Sequence, residues 1–283
     1  MIEASLYFNG VPKYLDLVRP YSSVLTAVED LAFRENGYFT DEYERIFTSH
    51  FGRNPDFRKI VDALAASPQG LFRKDLAKRA GADEGGTLSE HLADLESAGF
   101  TSSVRPFDKG DKSRLIKYTL SDAYLRFYHA FIRPNLRKIR ARANRDLFAR
   151  LTQTGRFHAW RGRAFEHLCM AHTQRIAEIL GFSGVDFSIG PYFRAPTSRR
   201  AGLQIDLLFS RADNVISLCE MKCSVAPVGV GIVKEVERKV QLLQEEFPSK
   251  TIQRVLVVHG KPSRELVQSG YFYRTIQSAE LAS

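Results

Sequence analysis

Residues 203–223 constrain the fold of this chain more than any other stretch. They read Leu-Gln-Ile-Asp-Leu-Leu-Phe, a short polar segment, and then Val-Ile-Ser-Leu-Cys-Glu-Met-Lys-Cys. Both ends are rich in β-branched and large apolar residues, and the segment between them, Ser-Arg-Ala-Asp-Asn, supplies turn formers. The pattern predicts two antiparallel strands joined by a turn, with charged residues inside otherwise apolar strands.

Strand alternation places Asp206 on the face of Leu208, and Glu220 and Lys222 on the face of Leu218. A carboxylate among apolar neighbours costs several kcal/mol unless it is paired, and two carboxylates facing each other across a hairpin repel. A divalent cation between Asp206 and Glu220 removes both problems, and Mg²⁺ or Mn²⁺ suits such oxygen ligands. Lys222 could then orient or deprotonate a water, or stabilise negative charge. The alternative is a surface salt bridge between Glu220 and Lys222 without a metal.

The two strands resemble the PD-(D/E)XK nuclease superfamily, whose pattern is an Asp on one strand and Glu-x-Lys on the next. Here these are Ile-Asp206-Leu-Leu and Cys-Glu220-Met-Lys222. The family usually adds an acidic residue on a preceding helix, and Arg-Gly-Arg-Ala-Phe-Glu166-His-Leu matches that element. The resemblance implies a catalytic set of Asp206, Glu220, Lys222 and Glu166, with Asp206 and Glu220 as the metal ligands.

The family core runs α-β-β-β-α-β, and residues 160–283 read in that order. A helix is predicted from Trp160 to Leu180, a strand from Phe187 to Arg194, and a helix from Val230 to Phe247. A strand is predicted at 252–258, and its apolar run Val-Leu-Val-Val is as expected inside a sheet covered on both faces. Together with the helical first half, this predicts a multidomain protein of α+β and α/β class that ends in a restriction-endonuclease-like domain.

The length of 283 residues allows more than one domain. Residues 1–54 are predicted to be a helical region, and its folded part is expected to begin at Asn9. Residues 55–120 have winged-helix character. The third helix of that region, near 87–98, is acidic and poorly suited to approach phosphates. Lys112 and Arg114 of the wing could contact a DNA backbone, but a packing and dimerisation module is an equal alternative.

Residues 121–159 form a predicted basic helical connector. The net charge of +9 is concentrated nearby, because residues 131–163 hold ten Lys and Arg against one acid, Asp146. A helix over 135–151 would carry the predicted nucleic-acid contacts Arg137, Lys138, Arg140, Arg142 and Arg145. Such a run is commonly a solvated face, but this one cannot neutralise itself by i, i+4 pairs. Arg199 and Arg200 form a second predicted basic contact beside the two charged strands.

The sequence also argues against several classes of protein. Three cysteines without metal-site spacing, no secretory leader and no long apolar run predict a cytoplasmic protein without a membrane partner. His259-Gly-Lys-Pro-Ser lacks the first glycine of a phosphate loop and has Pro262 where Ser or Thr is needed, so no ATPase activity is expected.

The chain as a whole resembles the C-terminal portion of archaeal-type AAA+ ATPases that carry a C-terminal domain of unknown function. The segments that carry this resemblance are Gly10-Val-Pro-Lys-Tyr-Leu and Tyr118-Thr-Leu-Ser-Asp-Ala-Tyr-Leu-Arg-Phe-Tyr, with the winged helix and the nuclease-like end. It implies a fragment of a longer ATPase or a relative that works without ATP. Two functions stay open: a DNA-acting metal-dependent nuclease, or a non-catalytic DNA- or protein-binding adaptor whose partner is an AAA+ ATPase core or a second copy of the chain.

Overall fold

The fold was analysed in a computed structural model that describes residues 2–104, 116–141, 146–194, 196–198 and 200–282. Contacts divide the described chain into a first unit of residues 3–104 and 116–159 and a second unit of residues 160–282. The first unit is mainly helical with a small antiparallel sheet, and the second is built on a mixed five-stranded sheet. A multidomain α+β protein is therefore the observed class.

The first unit begins with helices packed around aromatic side chains. Their bounds are α1 Ile2–Phe8, α2 Pro12–Val18, α3 Val24–Phe33 and α4 Glu42–Phe51. The expectation that the folded part starts at Asn9 is wrong, because α1 buries Leu6, Tyr7 and Phe8 completely. Phe8 stacks on Phe39 with ring centroids 4.2 Å apart, which fixes α1 in the core of this unit.

A helix and strand segment follows in the order that the sequence predicts, with one short strand added. The elements are α5 Pro55–Ala65, β1 Leu71–Phe72, α6 Arg73–Ala80, α7 Gly86–Ser97, β2 Thr101–Val104 and β3 Lys117–Leu120. The strands form an antiparallel sheet in the order β1-β3-β2. Gly81, with φ of 65°, adopts the left-handed conformation that ends α6. The predicted wing contacts Lys112 and Arg114 lie outside the described residues.

Within its described residues, the connector departs from the continuous helix predicted over 135–151, because Asn135 lies in a 3₁₀ turn and Ala141 and Asp146 lie in turns, while residues 142–145 lie outside the description. It consists of α8 Ala123–Phe127, a wider π turn at Tyr128–Ile132, a 3₁₀ turn at Arg133–Asn135, α9 Leu136–Arg140 and α10 Leu147–Thr152. Pro134 has no N–H to donate to the carbonyl of Ala130, which instead accepts from Arg156 Nη2 at 2.9 Å. The α-helical hydrogen-bond pattern is therefore interrupted before Pro134. The next helix, α9, ends at Arg140, and Ala141 is its C-cap.

The second unit contains α11 Gly155–Ala171 over most of its length and α12 Thr173–Ile179. The sequence predicted one helix from Trp160 to Leu180, but α11 begins five residues earlier and a break at His172 separates it from α12. The His172 Nδ1 atom lies 2.9 Å from the carbonyl oxygen of Leu168, so its ring occupies the end of α11. The apolar stripe continues across the break, so hydrophobic periodicity could not predict it.

The sheet of this unit has the order β4-β5-β6-β7-β8. Its strands are β4 Phe187–Arg194, β5 Leu203–Arg211, β6 Val215–Cys223, β7 Thr251–His259 and β8 Arg274–Gln277, with α13 Ile232–Glu246 and α14 Arg264–Gln268 as crossovers. β4, β5 and β6 are antiparallel, whereas β6, β7 and β8 are parallel. A parallel pair needs a crossover, and α13 supplies it between β6 and β7.

The core of the second unit lies between the sheet and α13. Val236 and Leu243 of the helix are fully buried in one cluster with Leu208, Leu218 and Leu256 of the strands. This packing fixes the distance between α13 and the charged ends of β5 and β6. Side chains of α13 can therefore reach Glu220 and Lys222.

Candidate active site

The site centres on Glu220, which is 4% exposed in the middle of the apolar strand β6. Lys222 Nζ lies 2.9 Å from its Oε1 atom, and Lys239 Nζ of α13 lies 2.7 Å from its Oε2 atom. Because a buried carboxylate needs compensation, both oxygens of Glu220 are held by ammonium groups. A divalent cation is therefore not the only way in which this protein neutralises Glu220.

The two lysines also share a second carboxylate, Glu235 of α13, at 3.5 Å each. Burial favours the neutral form of Lys222, but hydrogen bonds and attraction to Glu220 and Glu235 outweigh it and raise the pKa of Lys222. Lys222 is therefore a stable cation at neutral pH. Of the three roles that the sequence left open, a stable positive charge favours stabilisation of negative charge over deprotonation of a water.

Asp206 occupies β5 beside the ladder that joins β5 to β6. Leu207 pairs with Cys219 in that antiparallel ladder, and Asp206 and Glu220 are the next residue on each strand. Asp206 is half-buried and accepts a hydrogen bond from Gln204 Nε2 at 3.2 Å. It also lines one cleft with Glu235 and Lys239, so it lies on the side of the sheet that carries α13.

Glu166 of α11 supplies the third carboxylate. Burial, followed by the charge of Asp206, raises the pKa of Glu166 to about 7; Glu220 adds to the increase, while Arg163 and Lys222 oppose it. A carboxyl group that responds to these residues shares their electrostatic environment. The structure thus brings together all four predicted catalytic residues from α11, β5 and β6, and it leaves Glu166 close to half-protonated at neutral pH.

Asp206 and Glu220 offer carboxylate oxygens, which are the type of ligand that Mg²⁺ and Mn²⁺ prefer. Within the described part of the chain, however, no three His, Cys, Asp or Glu side chains stand close enough to form a ready-made metal site. A carboxylate has spare lone pairs, so Glu220 could keep a lysine and still bind an ion. Asp206 and Glu220 would hold the ion, provided that their side chains move towards each other.

The cleft beside Asp206 has a volume of about 390 Å³ and lies between the ends of β4 and β5 and the helix α13. Its α13 wall carries Glu235, Arg238 and Lys239. Sequence reasoning missed Lys239 and Glu235, although Lys239 gave a signal. It falls three residues after Val236 and four before Leu243, so it is a lysine within the buried stripe of α13.

The predicted nucleic-acid contacts are distributed over both units. Arg137, Lys138 and Arg140 are exposed on α9, and Arg140 pairs with Asp41 at 3.1 Å. Arg200 lies 3.5 Å from Glu246 at the carboxyl end of α13. The other predicted contacts fall outside the described residues: Arg142, Arg145, Arg199, Lys112 and Arg114.

Acidic residues from other helices reduce the free charge of the basic connector. Arg133 contacts Asp62 at 2.5 Å, in addition to the pair between Arg140 and Asp41. The sequence could not show that Asp41, directly before α4, and Asp62 of α5 approach this segment. Arg137 and Lys138 remain exposed for a partner.

Comparison with known proteins gives little further information. No protein-family profile matches the chain, and no curated protein matches it. Among solved structures, it is similar to protein VC1899 from Vibrio cholerae, with a TM-score of 0.32 and 14% identity over 92% of this chain. The match spans 55% of the length of VC1899. A similarity of this size establishes neither a shared fold nor a shared function.

The described helices were also compared with the requirements of a membrane span. None of them is both long and apolar enough to cross a bilayer.

Proposed function

We propose that this chain is a metal-dependent nuclease that hydrolyses phosphodiester bonds of DNA. The observation that carries the proposal is the convergence of Glu166, Asp206, Glu220 and Lys222 from three separate elements beside an open cleft. A carboxyl group such as Glu166, whose pKa is raised by burial and by neighbouring negative charge, is typical of functional sites. Protein stability alone does not require three carboxylates in one electrostatic environment.

In this proposal Asp206 and Glu220 would hold a divalent cation, which would supply Lewis-acid activation of a water and of the phosphate. The water oxygen would form a bond to phosphorus while one ester P–O bond breaks, and the proton that the water loses would balance the proton that the leaving oxygen gains. Lys222, a stable cation beside Glu220, stabilises the negative charge that develops on the phosphate oxygens. Glu166 serves as an outer acidic residue whose proton exchanges near neutral pH.

A nicking assay tests the proposal. Wild type should convert supercoiled or branched DNA to nicked product in Mn²⁺, and Lys222→Ala should be about 100-fold slower or worse, as expected when a charge-stabilising group is deleted. Lys250→Ala is the matched control, because Lys250 directly precedes β7, at the end of that strand opposite Val258, which pairs with Lys222, and its substitution should leave the rate unchanged. Equal nicking by all three preparations would show contamination and contradict the proposal.

A second candidate function rests on the pairing of Glu220 with Lys222 and Lys239. These lysines balance the buried charge without a metal, as a non-catalytic adaptor that binds DNA or another protein would require. An adaptor would bind DNA equally well in chelator and in Mn²⁺ and would not nick it. The resemblance to AAA+ ATPases adds a partner to either candidate: an ATPase core or a second copy of this chain.

A further inference from the structure

The cleft beside Asp206 has a composition that the proposed catalytic residues do not explain. Its volume of about 390 Å³ lies in the lower part of the range of about 300–1,000 Å³ that small-ligand pockets occupy. The side formed by β4 and β5 carries the apolar residues Phe193 and Leu203 beside Arg194 and Gln204, and the α13 side carries Glu235, Arg238 and Lys239. Asp206 lies in the same cleft. A ligand with a flat apolar part and an anionic part would fit these walls.

Phe193 is the unusual residue of the apolar wall. It is 62% exposed, whereas its neighbour Tyr192 is 4% exposed and places its ring 6.1 Å from that of Phe247 in the core. Tyr192 thus packs in the core, whereas the ring of Phe193 is exposed to solvent at the cleft. Exposed aromatic side chains of this kind are the surfaces on which proteins stack unpaired bases.

The basic wall has a residue available for an external anion. Glu235 already contacts both Lys222 and Lys239. Arg238, in contrast, is exposed, and its Nη2 atom makes a long hydrogen bond of 3.5 Å to the carbonyl oxygen of Gly202. Among the described residues, no carboxylate lies within ion-pair distance of its guanidinium. Its planar donors are suited to a phosphate.

We infer that the cleft binds one unpaired nucleotide of a DNA single strand, with its base stacked on Phe193 and its phosphate held by Arg238. The inference rests on the proposed function, since it places the bound strand next to Asp206. A base inside a duplex has both faces covered by its neighbours, so it cannot stack on Phe193 without leaving the helix. The substrate class is therefore single-stranded or locally unpaired DNA.

Binding without cleavage tests this inference. The affinity for a fluorescent oligothymidylate of about 12 nucleotides is measured by anisotropy in EDTA, with a duplex of equal length as the comparison. Phe193→Ala should weaken single-strand binding by about 5- to 150-fold, the loss expected for one stacked base. Phe193→Trp should restore it, and neither change should alter binding to the duplex. Arg238→Ala should reduce the salt slope by about 0.7.

Tyr273→Ala is the matched control, because Tyr273 is an aromatic residue of equal exposure, 65%, that does not line the cleft. Its affinity for the single strand should equal that of wild type. Equal losses for Phe193→Ala and Tyr273→Ala, equal losses for single strand and duplex, or no single-strand binding by wild type would each overturn the inference. Because these measurements contain no metal, such a result leaves the nicking assay as an independent test of nuclease activity.

Discussion

Each unit of this protein buries one glutamate, and the two glutamates are compensated in different ways. Glu42 of the first unit is 7% exposed and accepts from Tyr14 Oη at 2.7 Å, Tyr38 Oη at 3.2 Å and Arg45 Nε at 2.6 Å. Burial, with the hydrogen bond to Glu42 next, raises the pKa of Tyr14, so this hydroxyl remains a neutral donor. The carboxylate of Glu42 is therefore compensated by one cation, Arg45, together with two neutral hydroxyl groups.

Glu220 of the second unit is similarly buried but lies among like charges. Lys222 and Lys239 hold its oxygens, while burial, followed by the charges of Asp206 and Glu220, raises the pKa of Glu166 to about 7. A structural carboxylate needs donors, as Glu42 has. Additional carboxylates in the same environment cost stability and are a mark of functional sites. The comparison therefore separates a structural ionic cluster from a candidate catalytic one.

The largest effect is expected at the structural cluster. Glu42→Ala should lower the free energy of unfolding by about 3 kcal/mol, because it removes the acceptor of two hydroxyl groups and one arginine. Glu44→Ala is the control, since Glu44 is 65% exposed in its pair with Arg58 and should cost no more than about 1 kcal/mol. Urea denaturation measures both. Similarly small losses in the free energy of unfolding for Glu42→Ala and Glu44→Ala would contradict a structural role for Glu42.

A smaller, pH-dependent effect is expected at Glu166. Its folded-state pKa of about 7 lies above the ordinary value of 4.5, so the folded protein binds the proton more tightly than the unfolded chain. Stability should therefore fall as pH rises through this window. Glu166→Gln should be more stable than wild type by about 1–2 kcal/mol at about pH 8 in chelator, and the difference should vanish near pH 4.

Urea denaturation at several pH values measures this difference. A stability difference between Glu166→Gln and wild type that stays constant with pH would show that Glu166 does not sense the neighbouring carboxylates. The corresponding substitution in the first unit, Glu42→Gln, should be destabilising at neutral pH, because it weakens a charge-assisted contact with Arg45 and relieves no repulsion.

The smallest effect is expected at Asp206 in the metal-free protein. Asp206→Ala removes one of several mutually repelling carboxylates and a single hydrogen bond from Gln204. These terms oppose each other, so the free energy of unfolding should change by no more than about 0.5 kcal/mol. Thermal and urea denaturation in EDTA measure the change. A loss as large as that of Glu42→Ala would assign Asp206 a structural role like that of Glu42.

The elements with clear periodicity were predictable from the sequence. β4 has the bounds that the sequence predicts, and β5 and β6 are the two antiparallel strands predicted within residues 203–223. The helix α1 was missed because its buried end, Leu-Tyr-Phe, shows no alternation of polar and apolar residues. Tertiary packing alone defines such a short, fully buried segment.

The local part of the site was also predictable, because Asp206, Glu220 and Lys222 lie on two adjacent strands with a fixed period. Lys239 and Glu235 were not found, since their contacts with β6 depend on how α13 packs across the sheet. The same limit applied to the basic connector, where Asp41 and Asp62 approach from helices distant in sequence. Charge balance across packed elements cannot be derived from charge counts within one segment.

Calorimetric titration of metal-free protein with Mn²⁺ tests the central claim most directly. The account predicts saturable binding to wild type and to Glu44→Ala, whose substitution lies in the first unit, and no binding to Asp206→Ala, which keeps its fold but loses a ligand. The affinity should also rise with pH as Glu166 loses its proton. Absence of binding to wild type, or equal binding to wild type and Asp206→Ala, would contradict the account.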